Sequence, residues 1–176
     1  SLSKDSAGLA SGTRTFMASP VMLSCPPWGS TIALQTLSHI DWTRWTPQQR
    51  AVLLFVVRDG HVLLIHKKRG LGAGLINGPG GRIEPGETAD AAAIRETQEE
   101  VGVTPQGVRH LGDLHFQFLD GLALHCAVFR APGCTGTPGE TDEAIPLWTP
   151  IADIPYTRMW ADDIHWLPDR KSTRLN

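Results

Sequence analysis

A single clear helical segment stands between two pairs of apolar, strand-like segments, and this order limits the fold more than any other feature. Residues 51–57 (AVLLFVV) and 61–66 (HVLLIH) are joined by an Arg-Asp-Gly turn signal, which predicts a β-hairpin with both faces largely buried. Further strands are predicted near 113–119 and 122–130, with a final one at 147–149. The order of these elements predicts an α/β (α+β) domain in which a helix packs on a mixed sheet.

The predicted helix covers residues 88–101. Thr88 is a suitable N-cap, a run rich in alanine follows it, and Gly102 stands where helices commonly end on a glycine. At about 100° per residue, four side chains share one side of the helix and form the predicted core-facing stripe. These side chains are Ala91, Ile94, Thr97 and Val101.

Three carboxylates, Glu96, Glu99 and Glu100, are predicted on the face opposite this stripe. A solvated acidic face is the ordinary interpretation of such a pattern. Two features disfavour it: the helix dipole opposes negative charge in the last turns, and Arg95 precedes Glu99 in the less favourable order for an ion pair. Oxygen ligands clustered in this way indicate a hard divalent cation such as Mg²⁺.

The loop before the helix offers complementary groups. Gly80 and Gly81 permit close approach of the backbone, and Lys67, with the basic residues after it, offers positive charge for phosphates. Each signal alone is weak, because glycine pairs usually mark turns and basic runs are usually solvated. Together with the carboxylates, these residues predict chemistry on a phosphate chain.

A pattern of 23 residues joins these features into one motif. It runs from Gly81 through Glu87 to residues 95–103 (RETQEEVGV), and it resembles the Nudix box of the Nudix hydrolases at every fixed position. The one departure is Thr97, where the family prefers an aliphatic residue. Further segments resemble the oxidised purine nucleoside triphosphate hydrolase (8-oxo-dGTP diphosphatase) branch of that family. These segments are 67–81, 136–148 and 154–168.

The resemblance covers about residues 48–168 and implies an α/β/α sandwich around a mixed sheet, which we expect to lack its C-terminal helix. It implies a Mg²⁺-dependent reaction, with Mn²⁺ as a substitute, in which water attacks the phosphate chain and releases a nucleoside monophosphate and pyrophosphate. It also assigns roles to residues. Catalytic roles fall on Arg95, Glu96, Glu99 and Glu100; metal ligands are Glu96, Glu99, Glu100, Glu143 and Gly80; phosphate-binding residues are Lys67, Gly80 and Gly81.

The same resemblance places recognition of the base at Asn77, Trp160, Asp162 and Asp163. Trp160 can stack on a purine, and Asn77 offers a donor and an acceptor together. Adjacent aspartates that face one ligand tend to share a proton, so that one donates while the other accepts. Apart from the resemblance, these residues read as a turn, a core tryptophan and two surface acids.

Two positions depart from the pattern in this branch. Leu71 stands where some relatives have an aromatic residue that lines the base pocket, and Val52 stands where some have a hydroxyl residue. Both departures bear on which base is preferred.

The composition limits the kinds of partner that we expect this protein to bind. Acidic residues outnumber basic ones by 18 to 16, which argues against binding to nucleic acid polymers through bulk charge. No run approaches 18 apolar residues, so we expect no membrane span. The three cysteines have no CxxC spacing, which makes a reducing compartment the default. We expect a monomeric cytoplasmic protein with a small-molecule nucleotide as its substrate.

The ends of the chain differ from its centre. Residues 1–41 show no clear period and are expected to be a disordered or non-native extension, followed by a Nudix-like domain at 42–168. Residues 169–176 read DRKSTRLN, one in-frame translation of a common sequencing-adapter sequence, and are expected to be read-through.

Two alternatives to this function stay open. The same fold could hydrolyse another nucleoside diphosphate derivative, such as ADP-ribose or a dinucleoside polyphosphate. It could also be a non-catalytic nucleotide-binding module, although such modules usually lose glutamates of the box and none is lost here.

Overall fold

The computed structural model describes residues 40–118 and 120–171. Eight strands and two α-helices follow one another along this part of the chain. In chain order they are β1 (Gln49–Arg58), β2 (His61–Lys67), β3 (Ile76–Asn77), α1 (Ala89–Val101), β4 (Thr104–Gln106), β5 (Arg109–Gln117), β6 (Ala123–Ala131), β7 (Gly133–Thr135), β8 (Ala144–Pro150) and α2 (Asp163–Lys171). Two short 3₁₀ turns, Ile151–Asp153 and Tyr156–Arg158, connect β8 to α2.

The main sheet is mixed and has six strands in the order β3-β2-β1-β6-β5, with β8 paired to β2. Strands β1 and β6 are parallel from the pair Gln49–Leu124 to the pair Val56–Ala131, and the other pairs are antiparallel. Strands β4 and β7 form a small second sheet. The expected mixed sheet is therefore confirmed.

The predicted hairpin of β1 and β2 is present, but its two strands soon diverge. Asp59 and Gly60 form the turn with φ angles of 50° and 73°, as a tight hairpin with the right-handed strand twist requires. Beyond the first two residue pairs, the loop 78–82 lies along β1, where Pro79 O accepts from Leu54 N at 2.9 Å. This divergence brings the glycine loop against the middle of the sheet.

Alternate residues of the strands enter two separate cores. On one face, Leu54 and Leu63 pack with Ala93 and Val101 of α1. On the other face, a second cluster that includes Phe55 contains Trp166 and other residues of the C-terminal segment. Because both faces are covered, the strands carry near-continuous apolar runs. The two layers agree with the sandwich implied by the sequence.

Helix α1 begins and ends as predicted. Thr88 accepts a hydrogen bond from Ala91 N, and Gly102 adopts a φ of 74° at the C-terminal end. The predicted core-facing stripe, however, is rotated. Ala91 is exposed and Ile94 is only half-buried, whereas the side chains that are buried are Ala92, Ala93, Thr97, Glu100 and Val101.

The position of Glu100 corrects the expectation that all three glutamates share the face opposite the core. The side chain of Glu100 is fully buried, while 53% of the Glu99 side chain is exposed. Burial of a carboxylate requires a partner, and that partner comes from a strand that the helical wheel does not contain. The three side chains therefore lie in three different environments on one helix.

Short strands and the second helix are the other differences from expectation. Strands β4 and β7 lie in segments without clear alternation, and β3 lies within the predicted loop 67–86. The expectation of a domain without a C-terminal helix differs from the structure, in which α2 takes that place. Two predicted segments lie wholly or partly outside the described residues. Of the predicted extension, Ile40 and Asp41 are described and residues 1–39 are not. Of the predicted read-through, residues 172–176 are not described.

Candidate active site

The buried carboxylate of Glu100 is held from two sides. Its Oε1 accepts from Lys67 Nζ at 2.7 Å, and its Oε2 accepts from the backbone N–H of Gly80 at 2.8 Å. Burial raises the pKa of Glu100, while the charge of Lys67 acts in the opposite direction. The end of β2, the glycine loop and the last turn of α1 thus meet at one carboxylate.

Gly80 has little room for a side chain. A Cβ built at this position would lie 2.0 Å from the carbonyl oxygen of Val52, which is backbone and cannot move aside easily. Lys67 Nζ also donates to the carbonyl oxygen of Gly80 at 3.2 Å. The glycine therefore lets the loop approach β1 closely and keeps its peptide groups in contact with the charged pair.

Arg95 connects three carboxylates on the exposed side of the helix. Its Nε and one terminal nitrogen donate to the two oxygens of Glu87 at 2.9 and 3.0 Å. Its other terminal nitrogen donates to Glu96 and to Glu99, each at 2.9 Å. The hydrogen bond with Glu87 is the main cause that raises the pKa of Arg95, and the guanidinium holds these side chains in a fixed array.

Glu87 is a site residue to which the sequence analysis gives no role, although it stands at a fixed position of the motif. In the structure, both oxygens of its carboxylate accept hydrogen bonds from Arg95 and so orient the guanidinium. The Glu87 carboxylate also accepts from Glu84 N at 3.1 Å, which fixes the turn before the helix. The fixed spacing from Glu87 to Arg95 was the signal for this role.

Glu96 lies directly against the second glycine of the loop. A Cβ at Gly81 would lie 2.3 Å from Glu96 Oε2, so only glycine leaves room for this carboxylate. Burial is the main cause that raises the pKa of Glu96, against the effect of Arg95. Glu96 and Gly81 both line a cavity of about 560 Å³, so this carboxylate lies at the cavity wall.

The proposed metal ligands have suitable chemistry but are engaged with cations. Carboxylate and carbonyl oxygens, as offered by Glu96, Glu99, Glu100 and Gly80, are the donors that Mg²⁺ prefers. Among residues 40–118 and 120–171, no three acidic, histidine or cysteine side chains are arranged as a metal centre. Lys67 and Arg95 take the carboxylate oxygens instead. The residues fit a hard cation in type and charge, since their negative charges gather at one end of the cavity.

Glu143 is not part of this carboxylate group. It precedes β8 and forms an ion pair with Arg69, a residue of the basic segment after β2. Both side chains line the cavity. The structure therefore brings Glu143 to the same cavity but does not place it with Glu96 and Glu99 on the Arg95 guanidinium.

A cavity of about 560 Å³ extends from Glu96 towards the C-terminal segment. This volume lies within the range of sites that hold small ligands. All seven residues predicted to bind phosphate or base line it, as do the predicted metal ligands Glu96 and Glu143. The seven are Lys67, Asn77, Gly80, Gly81, Trp160, Asp162 and Asp163. The described residues that line the cavity do not include Arg95, Glu99 or Glu100.

Asp162 and Asp163 are buried at the far end of the cavity, with only 4% and 3% of each residue exposed. Burial raises the pKa of both carboxyls, and the neighbouring charge of Asp162 helps to raise that of Asp163 to about 8. Asp162 Oδ1 has no hydrogen-bond partner among the described residues. These are therefore not the surface acids of the alternative interpretation.

Trp160 and Asn77 stand on the walls of the cavity. The Trp160 ring makes an edge contact with Phe118, with centroids 6.2 Å apart. A Cβ at Gly72 would lie 3.2 Å from the same indole, so the glycine loop after β2 covers the ring closely. Asn77 Oδ1 accepts from Gly78 N at 2.8 Å, which fixes the amide at the end of β3.

The two positions that depart from the branch pattern, Leu71 and Val52, also line the cavity. Leu71 is 45% exposed, so the residue that replaces an aromatic side chain leaves this rim open. Val52 belongs to the core under α1 as well.

Apolar residues of β5 and β6, and one residue directly after β5, form much of the cavity wall and have no assigned role in the sequence analysis. They are Phe116 of β5, Phe118 after it, and Leu124 and Cys126 of β6. These positions alternate along their segments, and that alternation was the available signal. It does not by itself distinguish a cavity wall from a closed core.

The fold is thus an α+β fold whose sheet lies between two helical layers, with a carboxylate-rich helix at one end of a cavity of ligand size. The NUDIX domain model matches residues 47–170, and the chain belongs to the Nudix hydrolase family. The protein is thus an enzyme of that family.

Relatives of known name agree with this assignment. The chain is 46% identical over 117 residues to an oxidized purine nucleoside triphosphate hydrolase of Danio rerio, covering 66% of this chain and 75% of that protein. A protein of the same name from Mus musculus is 38% identical with the same coverage. The fold also matches the crystal structure of a MutT NUDIX hydrolase from Burkholderia pseudomallei, with a TM-score of 0.61 at 28% identity over 68% of this chain and 95% of that one.

Within the described residues, neither helix is long and apolar enough to cross a membrane.

Proposed function

We propose that the protein is a Mg²⁺-dependent pyrophosphohydrolase of oxidised purine nucleoside triphosphates of the 8-oxo-dGTP type. The products are a nucleoside monophosphate and pyrophosphate, and the role is sanitisation of the nucleotide pool. The relatives from Danio rerio and Mus musculus carry this activity in their names. The observation that carries the proposal is a pair of buried aspartates in the cavity whose other end is formed by Glu96 and Lys67.

The aspartate pair supports recognition of a purine edge. At neutral pH the Asp163 carboxyl, with a pKa of about 8, is protonated and can donate a hydrogen bond. Asp162 Oδ1 has no partner among the described residues and is available as an acceptor. A base that presents an acceptor and a donor side by side satisfies both groups. A base with only one of them leaves a buried polar atom unpaired, which is costly.

The remaining groups orient the substrate along the cavity. Trp160 offers a ring face for the base, and Asn77 offers an amide beside it. At the other end, Lys67, Gly80 and Gly81 line the cavity and are suited to bind the phosphate chain. This arrangement supports a substrate whose base lies near the aspartates and whose triphosphate lies near the glutamates of α1.

We infer that Glu96, Glu99, Glu100 and the carbonyl of Gly80 hold Mg²⁺, with Glu143 as a further ligand from the loop before β8. Nudix hydrolases generally require a divalent metal. When bound, Mg²⁺ lowers the pKa of an attacking water and offsets charge on the leaving pyrophosphate. The chain's own contribution is to gather the carboxylates, to orient them through Arg95, and to balance the buried Glu100 with Lys67.

A substrate panel tests this function. The purified protein is incubated with oxidised and normal purine triphosphates, ADP-ribose and a dinucleoside polyphosphate, each with and without Mg²⁺, and the nucleotide products are separated by chromatography. We expect Mg²⁺-dependent hydrolysis that is fastest with oxidised purine triphosphates and yields a monophosphate and pyrophosphate. Hydrolysis only of ADP-ribose or the dinucleoside polyphosphate, which gives nucleotide products without pyrophosphate, would assign a different substrate. Binding without hydrolysis of any compound would assign a non-catalytic module.

The expectations of a monomer in the cytoplasm that does not bind nucleic acid polymers stay predictions. Light scattering during gel filtration tests the first, and microscopy of the tagged protein tests the second. A binding assay with labelled single- and double-stranded DNA tests the third.

A further inference from the structure

The hydroxyl group of Thr141 connects helix α1 to the loop that carries Glu143. Thr141 Oγ1 donates to the backbone carbonyl of Glu100 at 2.8 Å. The same oxygen accepts from the backbone N–H groups of Glu143 at 3.1 Å and of Ala144 at 3.3 Å. One half-buried side chain thus satisfies the last turn of the helix and the entry of β8 together.

The backbone around Thr141 is fixed by further contacts. Thr141 N donates to Ala144 O at 3.0 Å, which closes the turn. Lys68 Nζ donates to Thr141 O at 2.6 Å, and Lys68 N donates to Glu143 O at 2.8 Å. These bonds hold the loop beside β2. Among the described hydrogen bonds, the one from the Thr141 hydroxyl joins this turn to the peptide group of Glu100.

Among the described residues, the Glu143 side chain has an exposed partner. Its ion pair is with Arg69, whose side chain is 63% exposed. Exposed pairs of this kind contribute little to holding a geometry, because solvent screens them and both side chains lose entropy. The position of Glu143 relative to the helix therefore depends on its backbone, which the Thr141 hydroxyl ties to α1 and Lys68 N ties to the end of β2.

We propose that Thr141 is a positioning residue that fixes Glu143 relative to Glu100 for hydrolysis. This inference rests on the proposed function, because it requires Glu143 to act on the same substrate as the glutamates of α1. Loss of the hydroxyl leaves the carbonyl of Glu100 without this donor and the N–H of Glu143 without this acceptor, while Lys68 N still holds the carbonyl of Glu143. A displacement of about 1 Å in a catalytic group can lower a rate by about a hundredfold.

Kinetics of three variants provide the first test. Thr141→Val keeps the shape without the hydroxyl, and Thr141→Ser keeps the hydroxyl. Thr149→Val is the matched control, since Thr149 is a half-buried threonine of β8 whose hydroxyl bonds only locally, to Leu147 O at 3.5 Å. We expect Thr141→Val to lower kcat at least about tenfold with little change in KM, and the serine and control variants to stay within about threefold.

A double-mutant cycle separates positioning from a general structural effect. If Thr141 acts through Glu143, then Thr141→Val lowers kcat in the natural background but has little further effect in a Glu143→Gln background. Equal losses in both backgrounds, or no rescue by serine, would overturn the proposal. Thr141→Ala replaces the valine variant if valine prevents folding.

Amide hydrogen exchange gives a readout that does not depend on activity. We expect Thr141→Val to increase exchange at Glu143 N and Ala144 N while exchange in the rest of β8 is unchanged. Unchanged exchange at both amides would overturn the proposal even in an active enzyme. If the natural protein hydrolyses no compound of the panel, the proposed function fails, and faster exchange would then show a structural contact and refute the catalytic role of Thr141.

Discussion

The fully buried carboxylate of Glu100 accepts a hydrogen bond from the Lys67 ammonium group at 2.7 Å. The two residues are 33 positions apart and come from α1 and the end of β2. Because either charge alone would be costly to bury, the pair ties the helix to the sheet at the point where the site begins.

Replacement of Glu100 by glutamine tests the centre of the site. Glutamine keeps one acceptor oxygen, so it can accept from Lys67 or from Gly80 N but turns its NH₂ group towards the other donor, and it lacks the negative charge. We expect Glu100→Gln to lower kcat at least about a hundredfold while the protein stays folded. The exposed Glu84, changed to glutamine, is the control. Full activity of Glu100→Gln would remove this residue from the catalytic group.

Asp163 is expected to make stability depend on pH. Burial raises its pKa from the ordinary 3.8 to about 8, so the folded protein binds a proton that the unfolded chain releases. Stability should therefore fall as pH rises from about 4 to about 8, and Asp163→Asn should flatten this slope. Denaturant unfolding at several pH values measures it. The exposed Asp153→Asn is the control, and an unchanged slope in Asp163→Asn would contradict the burial argument.

The same substitution is expected to change which base is accepted. An asparagine at 163 can donate but cannot alternate between donor and acceptor with Asp162 as protonation changes. We expect Asp163→Asn to alter the ratio of kcat/KM between oxidised and normal purine triphosphates, with a smaller effect on kcat for the better substrate. Equal effects of Asp163→Asn and Glu100→Gln on all substrates would contradict the division of the cavity into a base end and a phosphate end.

Gly81→Ala is expected to displace a carboxylate without unfolding the protein. The added Cβ would lie 2.3 Å from Glu96 Oε2, and the end of this side chain can move aside. We expect a loss of kcat of at least about tenfold with a small change in Tm. Gly139→Ala, where no atom lies within 4 Å of the added Cβ, is the matched control. A large fall in Tm would show instead that the loop itself cannot adapt.

His115 is expected to lower stability in mild acid. Its ring lies 4.8 Å from Trp45 and 5.2 Å from His125, with Asp113 on the same strand, and burial is the main cause that lowers its pKa. The unfolded chain then binds more protons, so stability is lost as pH falls below the ordinary histidine pKa of about 6.5. His115→Gln should reduce this loss in thermal unfolding, whereas the exposed His61→Gln should not.

Local signals along the chain were sufficient for much of the fold. The turn at Asp59-Gly60 and the glycine after α1 lie where the sequence predicts, because turn and cap geometry depend on a few adjacent residues. The burial of Glu100 could not be predicted from the helix, since its partner lies on β2. Strands β4 and β7 were missed because they are short and lack alternation.

The candidate site was likewise predictable only where it depends on local sequence. The spacing of the box predicted the contact between Arg95 and Glu99, and the structure contains it. The depth of Asp162 and Asp163 depends on how the C-terminal segment folds over the sheet, which no local pattern encodes. Composition alone describes these two residues as surface acids, and only the resemblance indicated otherwise.

The alternation of β1 separates two kinds of evolutionary change. Its odd-numbered residues Ala51 and Leu53 line the cavity, its even-numbered residues Leu54 and Val56 pack under α1, and Val52 does both. Substitutions at Ala51 and Leu53 can therefore reshape the base pocket while the packing of the catalytic helix stays intact, whereas a substitution at Val52 alters both. A lineage that changes Ala51 or Leu53 can acquire a new substrate without passing through unstable ancestors.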